Sequence, residues 1–168
     1  MYKIGVFTGK FMPLHKGHIR SVKIASKQCE KLYVIVCHNQ DYMKEECDKY
    51  NLPYMDIELR EAWVKYAFRK IKNIEVATID QTNIAPFPKG IEEFKEKINS
   101  IVGGKIDVFF GGEKNYPEFA RKAFDADYVL IDPDRKRIPI SASMIRHDLK
   151  KNHKYLKRNV KNYLKGNH

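Results

Sequence analysis

Five short apolar runs, separated by stretches with helical periodicity, constrain this chain more than any other feature. Tyr2 to Thr8, Leu32 to His38, Ile74 to Ile79, Ile106 to Phe110 and Asp127 to Ile131 are rich in Val, Ile and aromatic residues and read as strands. Between them, Lys16 to Glu30 sets Ile19, Val22, Ala25 and Cys29 on one face, and Asp56 to Lys72 opens on a capping Asp and carries Ile57, Val64, Ala67, Phe68 and Ile71. Ile91, Phe94, Ile98, Ile101 and Val102 form a third stripe, stopped by Gly103 and Gly104. Pro117 opens a fourth through Phe119, Ala120, Ala123 and Phe124. Strands that are apolar throughout and joined through helices predict a doubly wound α/β fold: a parallel five-stranded sheet, covered on both faces, with right-handed crossovers. After the last strand, Ile145 and Leu149, then Leu156, Val160, Tyr163 and Leu164, continue as one or two basic amphipathic helices. Asn39 to Met55 and Asp80 to Lys89 are the longest segments expected to be irregular. In an open α/β sheet both would wall a pocket at the carboxyl ends of the strands.

A chain of 168 residues is one domain's worth. No apolar stretch approaches the roughly 20 residues that span a bilayer, and the N-terminus lacks the layout of a signal peptide, so the expectation is a cytoplasmic protein. Cys29, Cys37 and Cys47 cannot all pair within the chain and none lies in a C-x-x-C pair, which fits reduced thiols. The net charge of +11 is concentrated: from Arg135 to His168 there are eleven Lys or Arg and one acid, Asp148, while the first 134 residues are nearly neutral. Such a region suits polyphosphate ligands as naturally as nucleic acid, because both are dense negative charge.

Two segments could carry chemistry. GKFMPLHKGH, Gly9 to His18, follows the first strand and lies at the edge where ligands bind. There is no G-x-G-x-x-G and no G-x-x-x-x-G-K-[ST], so a phosphate here would need a different device. Gly9 allows a sharp turn, Pro13 stiffens the loop, Gly17 allows close approach at a helix start where free N–H groups attract anions, and His15 and His18 would donate to phosphate oxygens. A capped turn with two solvated histidines fits the same spacing, and a zinc site fits worse, since H-x-x-H lacks a third ligand. The second segment, PISASMIRHD, Pro139 to Asp148, follows the basic cluster DPDRKR. Ser141 and Ser143 are N-cap donors and Arg146 falls in the first helical turns; plain capping is its ordinary alternative.

Together, H-x-G-H after a first strand and I-S-x-x-x-I-R opening a late helix resemble the nucleotidyltransferase superfamily, whose fold is Rossmann-like. More narrowly, GKFMPLHKGH, LYVIVC, REAW (Arg60 to Trp63), PFPKG and DPDRKRIPISASMIR resemble the nicotinamide mononucleotide adenylyltransferase domain of NadR-type proteins, over about Met1 to Leu164. The resemblance implies a single nucleotidyltransferase domain over 1–168, with a core at 1–134 and a phosphate-binding segment and helices at 135–168. It implies an enzyme, a nicotinamide-nucleotide adenylyltransferase, that transfers the adenylyl group of ATP to nicotinamide mononucleotide and releases pyrophosphate. The attacking group is already a phosphate anion, so positioning and charge stabilisation suffice without a protein nucleophile or base. Carried over residue by residue, His15, His18 and Arg146 are the catalytic set, with His18 the transition-state partner. Gly9, Lys10, Phe11, Gly17, Ser141, Ser143, Gly111, Gly112 and Glu113 would bind ATP and its phosphates. Cys37, His38 and Asn39 at the end of the second strand, with Ile91 and Phe94 after the P-x-G loop, would border the acceptor, packing being the alternative for the first three; Trp63, on a helix with core spacing, reads first as packing and second as a pocket residue. Mg²⁺ would bridge ATP oxygens, with no protein metal site.

Related sequences tend to carry Trp after the Gly of the P-x-G loop, where this chain has Gly90 followed by Ile91. The acceptor could therefore instead be nicotinate mononucleotide, phosphopantetheine, or a phosphorylated alcohol with CTP. No Walker sequence or helix-turn-helix segment is left over for a kinase or DNA-binding domain, so adenylyl transfer alone is expected. The partners are then small molecules, with no membrane, and self-association is compatible with the chain. A nucleic-acid-binding module using the basic region, with Tyr155 and Tyr163 stacking, is a distant rival, because Leu156, Val160 and Leu164 form a docking stripe.

Overall fold

A computed structural model describes residues 1–166; Asn167 and His168, the end of the basic tail and of the expected 1–168 domain, lie outside the described residues. The strands are β1 (Tyr2–Gly9), β2 (Cys29–His38), β3 (Ile74–Asp80), β4 (Val108–Gly111) and β5 (Asp127–Leu130). They form one sheet in the order β3-β2-β1-β4-β5, and every pair is parallel. This is the Rossmann-like, doubly wound arrangement the apolar runs predict. β1 lies at its centre, with Thr8 opposite Ile35 and Phe7 opposite Phe110.

The helices are α1 (Lys16–Ser26), α2 (Gln40–Lys49), α3 (Ile57–Ala67), α4 (Ile91–Val102), α5 (Tyr116–Phe124), α6 (Ala142–His147), α7 (Leu149–Asn152) and α8 (Arg158–Leu164), with a 3₁₀ turn at His153–Tyr155. Alternation along β2 divides the interior in two. Leu32, Val34 and Val36 enter one cluster with Val22 of α1, Val64 of α3 and Val160 of α8, while Tyr33, Ile35 and Cys37 enter another with Ile98 of α4 and Phe119 of α5. Both faces are buried, which is why the strand reads as a continuous apolar run. Removing a side chain such as Val34 from water contributes about 1.5–3 kcal/mol. Leu156, Val160 and Leu164 are 4%, 1% and 5% exposed, so the basic tail docks on the first cluster.

The helix expected over 56–72 stops at Ala67, and the one or two helices expected after the last strand are three among the described residues, α6, α7 and α8; two further segments also differ from the sequence reading. Cys29 and Glu30, placed at the end of the first helix, belong to β2, because Cys29 pairs with Tyr2. Residues 39–55, expected to be irregular, contain α2, a polar helix that buries only Met43 and Cys47. Two apolar contacts one turn apart make too thin a stripe to register as periodicity. The Asn39 side chain caps α2 by accepting from the Tyr42 N–H at 3.0 Å. The three cysteines are free and buried.

Candidate active site

The carboxyl ends of β1 and β4, where the strand order reverses direction, open into a cleft of about 410 Å³. One end is lined by Gly111, Gly112 and Glu113 after β4 and by Asp132, Pro133 and Arg135 after β5. The other is lined by Cys37, Tyr42, Gln81 and Phe94, and between the two lie residues 7–12, His15, Gly17 and His18.

His15 and His18 are built into the start of α1. The His15 Nδ1 accepts the backbone N–H of Gly17 at 3.1 Å and of His18 at 3.3 Å, and the His18 Nδ1 accepts the His15 N–H at 3.2 Å. This is a capping box written in histidine. Because each Nδ1 receives a backbone proton, a neutral ring must carry its own proton on Nε2. The rings stack with centroids 3.6 Å apart and planes at 22°. Burial pushes His15 down to about 3, helped by the Arg135 charge. It drives His18 well below the ordinary imidazole value, with the His15 and Arg135 charges adding to it. The pair therefore presents two neutral Nε2–H donors at neutral pH. Gly17 makes this possible: a Cβ there would lie 2.9 Å from His15 Cε1 and 3.0 Å from its Nδ1. The glycine of H-x-G-H is thus space for the capping ring.

The second segment enters as α6. Ser141 caps it, accepting the Met144 N–H at 3.1 Å, and Ser143 is exposed at the cleft wall. Arg146 is 7% exposed. It donates from Nε to Glu46 at 3.1 Å, from Nη1 to the Met12 carbonyl at 2.7 Å and from Nη2 to the Tyr42 hydroxyl at 3.1 Å. Three of its five N–H groups are thereby committed and its charge is balanced by a carboxylate.

The cleft brings together His15, His18, Arg146, Gly9, Lys10, Phe11, Gly17, Ser141, Ser143, Gly111, Gly112, Glu113, Cys37 and Phe94. Phe11 takes part mainly from below, only 1% exposed and stacked on Phe7 with centroids 6.3 Å apart. Four expected acceptor residues fall outside the lining. His38 is 3% exposed, with Nδ1 against Arg60 and Nε2 2.8 Å from Gln40 Oε1. Asn39 is spent on capping. Trp63 is 4% exposed and packs edge-on against Tyr163, 5.8 Å between centroids, the packing role its core spacing suggests. Ile91 is the first residue of α4 and packs against the second cluster. Those positions follow strand ends and helix faces correctly in sequence, but their side chains turn into the body of the fold.

Sequence reasoning missed Tyr42, Glu46, Gln81, Tyr116 and Tyr128. Tyr42 and Glu46 lie on the polar helix that left no periodic signal. Gln81 lies just past β3, while Tyr116 and Tyr128 pair with ring centroids 6.2 Å apart and line the cleft. Burial pushes the Tyr128 phenol up to about 12, so it stays protonated. Among the described residues no group of three or more His, Cys, Asp or Glu side chains could hold a metal ion, and no helix is long and apolar enough to cross a membrane. A divalent ion arriving with a nucleotide would be held by phosphate oxygens and water, an arrangement Mg²⁺ favours.

The fold, the H-x-G-H turn and the late capped helix define a class, and comparison with known proteins agrees: residues 6–148 match the cytidylyltransferase-like family, and the chain belongs to it. Within the nucleotidyltransferase superfamily it stands close to the NadR type. It is 27% identical over 165 residues to the trifunctional NAD biosynthesis/regulator protein NadR of Salmonella typhimurium, covering 94% of this chain and 40% of that protein. It is 38% identical over 76 residues to the phosphopantetheine adenylyltransferase of Streptococcus sanguinis, covering 45% of this chain and 41% of that one. The chain thus spans under half the length of these curated relatives. In three dimensions it matches a NadR protein solved in complex with NAD and AMP-PNP, with a TM-score of 0.70 over 94% of this chain and 45% of that chain; at 21% identity this is a likeness of fold.

Proposed function

We propose that this protein transfers the adenylyl group of ATP to nicotinamide mononucleotide, forming NAD and pyrophosphate. The observation that carries the reading is the convergence of two segments 130 residues apart on one cleft: the Nε2–H pair of His15 and His18, and the Ser141–Arg146 helix start. An oxygen of the acceptor phosphate attacks the α-phosphorus in line; the new O–P bond forms as the bond to the β-phosphate oxygen breaks, and pyrophosphate leaves as an anion. No proton must be removed from the nucleophile, which suits a site of donors and cations without a general base. The neutral histidine donors stabilise charge that grows on the phosphoryl oxygens, with no solvent rearrangement at the moment of reaction. Lys10, held over the Tyr42 ring at 5.0 Å, and Arg135 are cations in the lining that could meet phosphate oxygens. In this reading Gly111 to Glu113 and Asp132 to Arg135 border the nucleotide, Cys37, Tyr42, Gln81 and Phe94 border the acceptor, and Lys10, placed with ATP by the resemblance, stands between the two beside the Tyr42 ring. Mg²⁺, when bound through ATP, would neutralise part of the triphosphate charge.

The NadR relatives, aligned over 94% of the chain, support a nicotinamide nucleotide. A second reading, phosphopantetheine as acceptor, is favoured by the higher local identity to the streptococcal enzymes. Pyrophosphate release, measured with ATP or CTP and each of nicotinamide mononucleotide, nicotinate mononucleotide and phosphopantetheine, separates them. The proposal expects the fastest release with ATP and nicotinamide mononucleotide; no release with that pair sinks it.

A further inference from the structure

Arg60 is the largest fully buried side chain described, at 1% exposed, and neither the H-x-G-H turn nor the late helix contains it. It stands on α3 at a position of the apolar stripe, four residues before Val64. Its guanidinium faces backbone carbonyls. Nε donates to Met55 O at 2.7 Å, and Nη1 donates to Lys10 O at 2.8 Å and to Cys37 O at 3.3 Å. Nη2 donates to the His38 Nδ1, which directs the His38 proton to Nε2 and so toward Gln40. Among the described residues no carboxylate pairs with it, in contrast to Arg146 and Glu46. Burial lowers Arg60 to about 10, which still leaves it charged at neutral pH.

A buried cation with no carboxylate in contact, Asp56 and Glu58 acting on it only at longer range, is costly, and a methionine of similar volume would fill the space without the charge. What the guanidinium does that an apolar side chain could not is tie together the chain just after β1 and the end of β2. Lys10 and Cys37 both line the cleft, on the side away from β4 and β5. The carbonyls of Lys10 and Met12, two residues apart, are held by two different arginines, Arg60 from α3 and Arg146 from α6. The loop that leads into the histidine turn is thus clamped from two sides.

We propose that Arg60 is a positioning residue for the acceptor side of the cleft, setting the backbone at Lys10 and Cys37, while its hold on the loop before the histidine turn is shared with Arg146 at Met12. This rests on the adenylyl-transfer reading above. Arg60 makes none of its hydrogen bonds to residues of the β4–β5 end, so its loss should separate the two substrates kinetically, whereas a general loss of structure would damage both.

The test measures steady-state constants for ATP and for nicotinamide mononucleotide, thermal melting, and amide hydrogen exchange in Arg60→Gln. The expected result is an acceptor KM raised about tenfold or more and an ATP KM within about twofold of the parent. Exchange should become faster around Lys10 and Cys37 while the β4–β5 end keeps its protection. Unchanged constants and exchange, or equal deterioration for both substrates, overturn the proposal. Should Arg60→Gln not fold, Arg60→Lys carries the test: one ammonium cannot span both carbonyls, so a smaller shift of the same kind supports the role and parental kinetics overturn it. If the parent itself releases no pyrophosphate, the functional reading falls, and the exchange pattern alone decides whether Arg60 pins this side of the cleft.

Discussion

Residues 9–18 and 139–148 face the same cleft, yet they assemble their polar groups by opposite means. The histidine turn is self-contained: His15, Gly17 and His18 set one another's geometry within four residues, through backbone N–H groups of their own helix start. The late segment is assembled at long range, because Arg146 is held by Glu46 and Tyr42, 100 and 104 residues away, and by the Met12 carbonyl, 134 away. The first presents neutral donors and the second a cation already neutralised by a carboxylate. In the lining, Lys10 and Arg135 are the cations that no described ion pair takes up, and they stand with the carboxylates of Glu113 and Asp132. A local device can be read from a motif, whereas a long-range one needs the fold.

This contrast can be broken in several ways. Replacing Arg146 by Met leaves Glu46, whose side chain is 16% exposed, without its partner, and should cost about 3 kcal/mol of stability. Adding Glu46→Gln should restore part of it, and a double-mutant cycle by denaturant melts reads the coupling; additive losses would mean that the pair is not the link between α2 and α6. His18→Ala should lower turnover about a hundredfold by removing one preorganised donor, in a protein that still folds but has lost one capping bond, at a cost of about 1 kcal/mol. Parental pyrophosphate release would remove His18 from the mechanism.

Smaller effects sharpen the local half of the comparison. Gly17→Ala should gain helix propensity, yet its Cβ would press on the His15 ring. The expectation is about a tenfold loss of turnover with little change in ATP affinity; equal or faster turnover would show that the ring has room to shift. Titration provides the last test. In the unfolded chain His15 takes a proton near about 6.5, whereas in the fold it does so only near about 3. Between those values the unfolded state binds the extra proton, so stability is lost as pH falls from 6.5 toward 3, by up to about 1.4 kcal/mol per pH unit. His15→Asn keeps a capping acceptor without a titrating ring and should make that slope shallower in urea melts taken across this range, leaving the part that His18 contributes. An unchanged slope would place the acid sensitivity elsewhere.

The strands and the histidine turn were legible because each depends on neighbours in sequence: continuous apolar runs mark a sheet buried on both faces, and a histidine three residues from another at a helix start can cap it. α2 was not legible, since a helix that buries only Met43 and Cys47 has almost no stripe. Trp63 and His38 occupied plausible positions for a pocket, but which way a side chain turns depends on what Tyr163 and Arg60 place beside it. Arg60 did leave a trace, as a charged residue on an apolar face; what that charge held was invisible without the carbonyls of Lys10, Cys37 and Met55.

By itself the amino-acid sequence determined the strand and helix alternation, the parallel sheet and the place of the histidine turn at a helix start, because periodicity and capping act over a few residues; the burial and the Arg135 charge that keep the two rings neutral came from the fold. Only the tertiary structure decided which cations are free to meet a ligand. Arg146 and Arg60 look alike as letters, and what separates them is a carboxylate beside one and backbone carbonyls with the His38 ring around the other, most of them brought there by segments far away along the chain.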